Sequence, residues 1–242
     1  MIYYYDGSLD GLFTVIFDKY KELGSCEIGV KGDQVNFLES EEIATDLVKS
    51  ERVIQSVKNN IGDDFLKDLI KVFKTNFPNK EETIGVCIRG CLTYGNVYLD
   101  SSKKGAVDFR SYLKNFGHEC HTFKGLTRFR EIQDGYLLAE IEPDHDILWH
   151  LTSHFLSRMP GEKFIIYDVN RKKASLCIEG SYEEVEILEM DGIDSKDEEL
   201  LRDAWLGFYD AIGIAERKNH RLMVSNMPKK YWKYLPEKNR RG

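Results

Sequence analysis

Residues Thr127–Glu142 read TRFREIQDGYLLAEIE, and this stretch decides the fold class. Two strand-like runs, Arg128–Ile132 and Tyr136–Glu142, flank Gln133-Asp134-Gly135. An Asp-Gly pair between such runs marks a β-hairpin turn. Arg128 and Arg130 stand two apart and therefore share one face, while Phe129 points to the opposite, apolar side. Further along, Lys163–Val169, Ala174–Ile178 and Tyr182–Leu188 read as a meander, punctuated by Asn170-Arg171-Lys172-Lys173 and Glu179-Gly180-Ser181. A helix from about Asp146 to Arg158, closed by Pro160-Gly161, separates hairpin from meander.

The chain before Thr127 has a different texture. Ile2–Tyr5 reads as a short strand, and Asp6-Gly7-Ser8 leads into a helix carrying Leu9, Leu12, Phe13, Ile16, Phe17 and Tyr20 on one face. Cys26–Val30 and Val35–Leu38 flank Lys31-Gly32-Asp33 as a short hairpin. Helices are predicted near Asp63–Thr75, near Lys80–Leu99 after the break at Pro78, and from about Val107 to Phe116 with continuation towards Lys124. After the meander, Ser195 and Glu198 match a capping box. The long helix they open carries Leu200, Leu201, Ala204, Trp205, Phe208, Tyr209 and Ile212 as a buried stripe. Helices followed by hairpins predict an α+β fold, an antiparallel sheet of hairpin and meander strands on a helical layer, with a long C-terminal helix and a basic aromatic segment after it. One domain is predicted, helix-rich over about 1–126, sheet-rich over about 127–190, with the C-terminal helix and basic segment over about 195–242.

At 242 residues and 42% hydrophobic content the chain has the composition of a soluble globular protein. No apolar run of about eighteen residues is present, so no membrane span is expected. The start, MIYYYDGSLDGLF, lacks the basic and apolar regions of a signal peptide. Five scattered cysteines fit a reducing cytoplasm better than a disulfide framework.

Charge is unevenly placed. The chain is −7 overall, yet residues 216–242 sum to +7 and the preceding 215 to −14. Arg217, Lys218, Arg221, Lys229, Lys230 and Lys233 interleave with Tyr231, Trp232 and Tyr234. Phosphate contacts would give such a segment salt-sensitive affinity, and its rings are suited to stacking on unpaired bases. The alternative is a solvated tail whose rings pack back on the domain. Arg128 and Arg130 form a second basic pair suited to forked contacts with phosphate or carboxylate, or to pairing with Glu131, Glu140 or Glu142.

Five of the six histidines lie between Gly117 and Arg171. There Glu142, Asp144 and His145, at the exit of a strand, make candidates for acid–base chemistry, because a carboxylate can orient and tune an imidazole. Asp144 as a helix cap, with Pro143 setting the turn, is the competing role. His150 and His154 have ligand spacing, but HLTSH lacks the glutamate of HExxH, and no CxxC pair occurs, so no metal is assigned. P-loop, GxGxxG and GxSxG motifs are absent, and no cofactor is expected.

Taken together, several strings resemble the DUF4130 family, also described as probable DNA metabolism proteins. They are MIYYYDGSLDGL from Met1, Glu119-Cys-His121-Thr-Phe-Lys-Gly125-Leu-Thr-Arg128-Phe129, Ala139-Glu-Ile-Glu-Pro-Asp-His145, His154-Phe155 with Arg158, Glu216-Arg217-Lys-Asn219-His-Arg221-Leu, and the most specific, Met227-Pro-Lys-Lys-Tyr-Trp-Lys-Tyr-Leu-Pro-Glu237. The family's Asn-Pro-Arg-Leu-Gln-Arg-Gln-Phe-Met-Pro stands here as Asn219-His-Arg221-Leu-Met-Val-Ser-Asn-Met-Pro228, without a second arginine and a glutamine. The resemblance implies a role in DNA repair or modification beside a radical S-adenosylmethionine (radical SAM) protein; a related domain is fused to a uracil-DNA glycosylase-like domain. It supplies no reaction.

Three functions are therefore carried forward. The first is an accessory protein that binds single-stranded or damaged DNA through Arg217, Arg221, Lys229, Lys230, Tyr231, Trp232 and Lys233, with Arg128 and Arg130 as a second basic pair. The second is an enzyme acting on a DNA base or backbone, with Glu142, Asp144, His145 and His121 as its catalytic groups. The third is a non-catalytic adaptor whose basic tail meets an acidic protein.

Overall fold

A computed structural model describes residues 1–32, 39–187, 194–195, 197–211 and 219–239. The chain divides into two compact units, Met1–Gly117 and His118–Gly242.

In the first unit, strand β1 (Ile2–Tyr5) lies between β2 (Glu27–Val30) and β3 (Ser40–Glu42), and both neighbours run parallel to it. A parallel pair needs a crossover, which α1 (Leu9–Asp18) supplies between β1 and β2. Ser8 caps this helix by accepting from the Gly11 N–H at 2.9 Å. The predicted hairpin is thus replaced at its first arm by a strand pairing with β1; Val35–Leu38, its second arm, lies outside the described residues. Leu12, Phe13 and Ile16 of α1 are fully buried, as the periodicity predicts.

Helix α2 (Leu47–Asn60), not predicted, opens on Asp46, whose carboxylate accepts from Val48 and Lys49 N–H. Next come α3 (Asp63–Phe73) and α4 (Lys80–Tyr94). Helix α4 stops short of Leu99 because Gly95 takes a φ of 75°, open to glycine, and its N–H closes on the Cys91 carbonyl. Asn96–Asp100 then forms a 3-10 turn. Helix α5 (Lys104–Leu126) carries the boundary between the units.

The second unit holds a five-stranded sheet in the order β4 (Arg130–Glu131), β5 (Leu137–Ile141), β6 (Phe164–Asp168), β7 (Lys173–Ile178) and β8 (Ser181–Glu186). The hairpin β4–β5 forms about the predicted turn, with Asp134 and Gly135 at φ 63° and 71°, but its first arm is Arg130–Glu131 alone, so Arg128 and Phe129 precede the strand. The meander β6–β7–β8 is antiparallel. Between them α6 (Leu148–Arg158) acts as a crossover, making β5–β6 parallel, so neither sheet is wholly antiparallel. No helix among the described residues is long and apolar enough to cross a membrane.

The C-terminal region departs most from expectation. Helix α7 (Glu198–Ala211) has no buried residue: Leu200, Leu201, Trp205 and Phe208 are 69%, 53%, 36% and 54% exposed, and Ile212 lies outside the described residues. The capping box does not form either. Glu198 instead accepts from the Glu131 backbone N–H at 2.7 Å, and the Ser195 hydroxyl is buried without a partner among the described residues. A short helix, α8 (His220–Asn226), then leads into the basic segment, capped by Asn219.

Candidate functional site

Residues Lys229–Tyr234 form a 3-10 helix, entered from Pro228. With three residues per turn, positions i and i+3 eclipse, and the string Lys-Lys-Tyr-Trp-Lys-Tyr is sorted into three faces. Tyr231 and Tyr234 turn inward. The Tyr231 ring packs edge-on against Phe123 at 4.7 Å, and its hydroxyl donates to Glu119 at 3.2 Å. Tyr234 donates to Glu142 at 2.6 Å. Lys230 and Lys233 make the second face, pairing with Asp144 and Glu142 respectively. Lys229 and Trp232 make the third, with the exposed lysine 5.9 Å from the centre of the half-buried indole. Lys238 stands 5.8 Å from the same ring, and the indole N–H donates to the Met227 carbonyl at 2.8 Å.

Glu119 of α5 is the hub beneath this segment. Its two carboxylate oxygens accept the backbone N–H groups of Asp144 and His145, each at 2.8 Å, besides the Tyr231 hydroxyl. Arg171 clamps the same loop, donating to the carbonyls of Pro143 and Asp144 and to the buried Asp168 carboxylate. Asp144 is therefore not a helix cap: α6 starts at Leu148, and the Asp144 carboxylate faces Lys230.

Electrostatics follow this geometry. Burial alone would raise the Glu142 carboxyl, but hydrogen bonds from Lys233 and Tyr234 outweigh it and hold the group below the usual range. Burial lowers the His145 pKa against the pull of Glu119 and Asp144, favouring the neutral ring. Burial pushes the Tyr231 hydroxyl up to about 12.

Arg128 and Arg130 reach a cleft of about 290 Å³ that Arg202 and Lys233 also line. Acids answer them there. Arg128 binds the fully buried Glu237 carboxylate at 2.8 Å, and Arg130 pairs with Asp194 and, at 3.4 Å, with Glu140. Trp205 donates to the other Glu237 oxygen at 3.1 Å. Phe129 packs edge-on against Phe155 and Phe164, as its alternation with the arginines predicts.

The four acid–base candidates are not brought together as one centre. His145 is buried, Glu142 and Asp144 are engaged by lysines, and His121 is exposed on α5. Among the described residues no three His, Cys, Asp or Glu side chains are grouped to hold a metal ion. The five thiols are free and buried, and burial raises Cys91 to about 11. Of the basic residues, Arg221 is exposed at the start of α8, and Arg217 lies outside the described residues. Sequence reasoning did not single out Glu119 or Arg171 as organising residues. Glu119 stands in one of the resembling strings, but nothing local to it shows that its partners come 25 and 112 positions later.

The profile of a domain of unknown function, DUF4130, matches residues 78–237. The chain belongs to this family. The DUF4130 match takes in Glu119, the β4–β5 hairpin, the Asp144-His145 loop and the basic segment through Glu237, so the whole hydrogen-bonded assembly lies within it. Neither the curated proteins nor the solved structures contain a match to this DUF4130 chain.

Proposed function

We propose that this DUF4130 protein binds nucleic acid, single-stranded or damaged DNA first among its forms, as an accessory factor in DNA repair or modification beside a radical SAM enzyme. The observation that carries the ligand class is the outward face of the C-terminal 3-10 helix, where exposed Lys229 lies over the Trp232 ring. An aromatic face beside a cation suits one base and its phosphate. Lys230 and Lys233 flank it, 46% and 52% exposed; Asp144, the partner of Lys230, is 64% exposed, and Glu142, the partner of Lys233, is 22% exposed. An ion pair as open as Lys230–Asp144 contributes only about 0–1 kcal/mol, so a phosphate competes with the carboxylate for Lys230. The radical SAM partner rests on the resemblance of the motif strings alone.

Electrophoretic binding to single-stranded, duplex and damaged DNA at two salt concentrations tests the proposal. Affinity is expected to fall steeply with salt, and Trp232→Ala to weaken single-strand binding by about 1–3 kcal/mol. Folded protein that binds no DNA form in a salt-dependent way removes the reading.

A second reading, a non-catalytic adaptor, is favoured by the exposed apolar stripe Leu200, Leu201, Trp205 and Phe208 on α7. It requires co-purification with the radical enzyme that survives nuclease and is lost on Leu200→Ser/Phe208→Ser.

A further inference from the structure

A cavity of about 730 Å³ opens in the first unit between α4, the turn Asn96–Asp100 and the start of α5. This size is typical of small-molecule sites. Along α4, Glu82, Val86 and Arg89 recur at helical spacing and line one wall. Seven residues of helix separate the backbone positions of Glu82 and Arg89 by about 10 Å along the axis, and the Arg89 guanidinium donates to the Lys21 carbonyl at 3.4 Å.

The opposite wall keeps the same polarity. Helix α5 runs back along α4: Cys87 reaches the Gly105 carbonyl at 3.4 Å, and Tyr112 reaches the Pro78 carbonyl at 3.3 Å. Lys103 and Lys104 therefore lie towards the Arg89 end, and Asp108 lies nearer the Glu82 end. Lys103 stands 4.1 Å from the Tyr94 ring centre, at the last residue of α4, in agreement with this direction. Between the two ends Val86, Gly90 and Tyr98 line the cavity beside the hydroxyl-bearing Thr83 and Thr93. The Tyr98 ring lies so close to Gly90 that a Cβ there would come within 2.5 Å of it.

Two features of this cavity call for a ligand. The Glu82 Oε1 atom accepts from the Ile28 N–H at 2.7 Å, but Oε2 is buried with no hydrogen-bond partner among the described residues. A buried carboxylate oxygen left unsatisfied is costly. At the other end, Arg89, Lys103 and Lys104 have no carboxylate partner among the described residues. The occupant that answers both is a molecule with an N–H donor at one end, a flat middle, and an anion at the other.

We propose that this cleft binds a nucleoside monophosphate with an amino-bearing base. The amino group faces Glu82, the base lies over Val86 beside Tyr98, and the phosphate meets Arg89, Lys103 and Lys104. The amino edge and the phosphate of such a nucleotide stand apart by a length comparable to the Glu82–Arg89 separation. This site involves no residue of the C-terminal segment, so it stands or falls independently of the DNA reading.

Calorimetric titration of the full chain with AMP, CMP and GMP is the test, with IMP, adenosine and ribose 5-phosphate as controls lacking the amino group, the phosphate or the base. At least one amino-bearing nucleotide should bind, and it should bind more tightly than each control. Glu82→Gln and Lys103→Ala/Lys104→Ala should each weaken that binding by about tenfold or more. The two lysines are solvent-facing, so the double variant should melt like the parent and keep the test valid if Glu82→Gln does not fold. No binding of AMP, CMP or GMP to folded protein overturns the proposal. So does nucleotide binding that is indifferent to the lysine substitutions.

Discussion

The cleft of the first unit and the C-terminal segment of the second use charge in opposite ways. The segment is conspicuous in sequence, yet two of its lysines, Lys230 and Lys233, pair with Asp144 and Glu142, and two of its tyrosines are turned inward. The cleft comes from a stretch of unremarkable composition, yet Arg89, Lys103 and Lys104 line it without a carboxylate partner among the described residues. The density of charge along a chain thus reports little about charge available to a ligand. What matters is which neighbours the fold brings, and a helical period of three is enough to divide one basic run into docking, paired and outward faces.

The largest effect should come from removing the hub that docks the segment. Glu119→Ala leaves the Asp144 and His145 N–H groups without their acceptor, at about 1–3 kcal/mol each, for a loss of roughly 2–6 kcal/mol. The three tryptophans, Trp149, Trp205 and Trp232, all lie in the second unit, so urea unfolding followed by their fluorescence reads the right region. A loss below about 1 kcal/mol would mean that the segment is not held from beneath.

An intermediate effect concerns pH. His145 has a folded pKa lowered by burial, with Glu119, Asp144, Arg171 and Lys230 as its charged neighbours. Below 6.5, its unfolded value, the unfolded chain binds the proton more readily than the folded one, so stability should fall as pH drops through this range. His145→Asn should flatten that slope in urea unfolding at a series of pH values. His154, also lowered by burial, leaves a residue of it. A variant slope equal to the parent's would contradict the assignment.

The smallest effect should come from the exposed pairs. Lys230→Ala and Lys233→Ala should each cost about 1 kcal/mol of stability or less, and Lys230→Ala the least, because both members of its pair are exposed whereas Glu142 is 22% exposed. A larger loss would show the lysines to be docking groups and blur the contrast with the cleft.

Much of the second unit was legible because its signals are local. The Asp-Gly turn placed β4–β5, and Phe129 between two arginines gave the correct apolar side. The parallel pairing β5–β6 was not legible, because strand direction across α6 depends on long-range packing. Helix α2 was missed because Ser50 takes a core position ahead of Val53 and Val57, buried by a hydrogen bond to Asp10 at 2.6 Å that no periodicity reveals. The α7 stripe was read as core from spacing alone, and spacing says nothing of whether a partner surface is present. At the candidate site the residue types were visible, but the assignment of Lys230 and Lys233 to Asp144 and Glu142 required knowing that the segment turns with a period of three.

The most direct measurement compares Lys229→Ala with Tyr231→Phe for single-strand binding and for stability. Lys229→Ala should weaken binding and lower the salt slope by about 0.7 while leaving stability unchanged. Tyr231→Phe should lose about 1 kcal/mol of stability and bind normally while folded. Unchanged binding in Lys229→Ala, with the loss appearing in folded Tyr231→Phe, would contradict the division of this segment into an outward and a docking face.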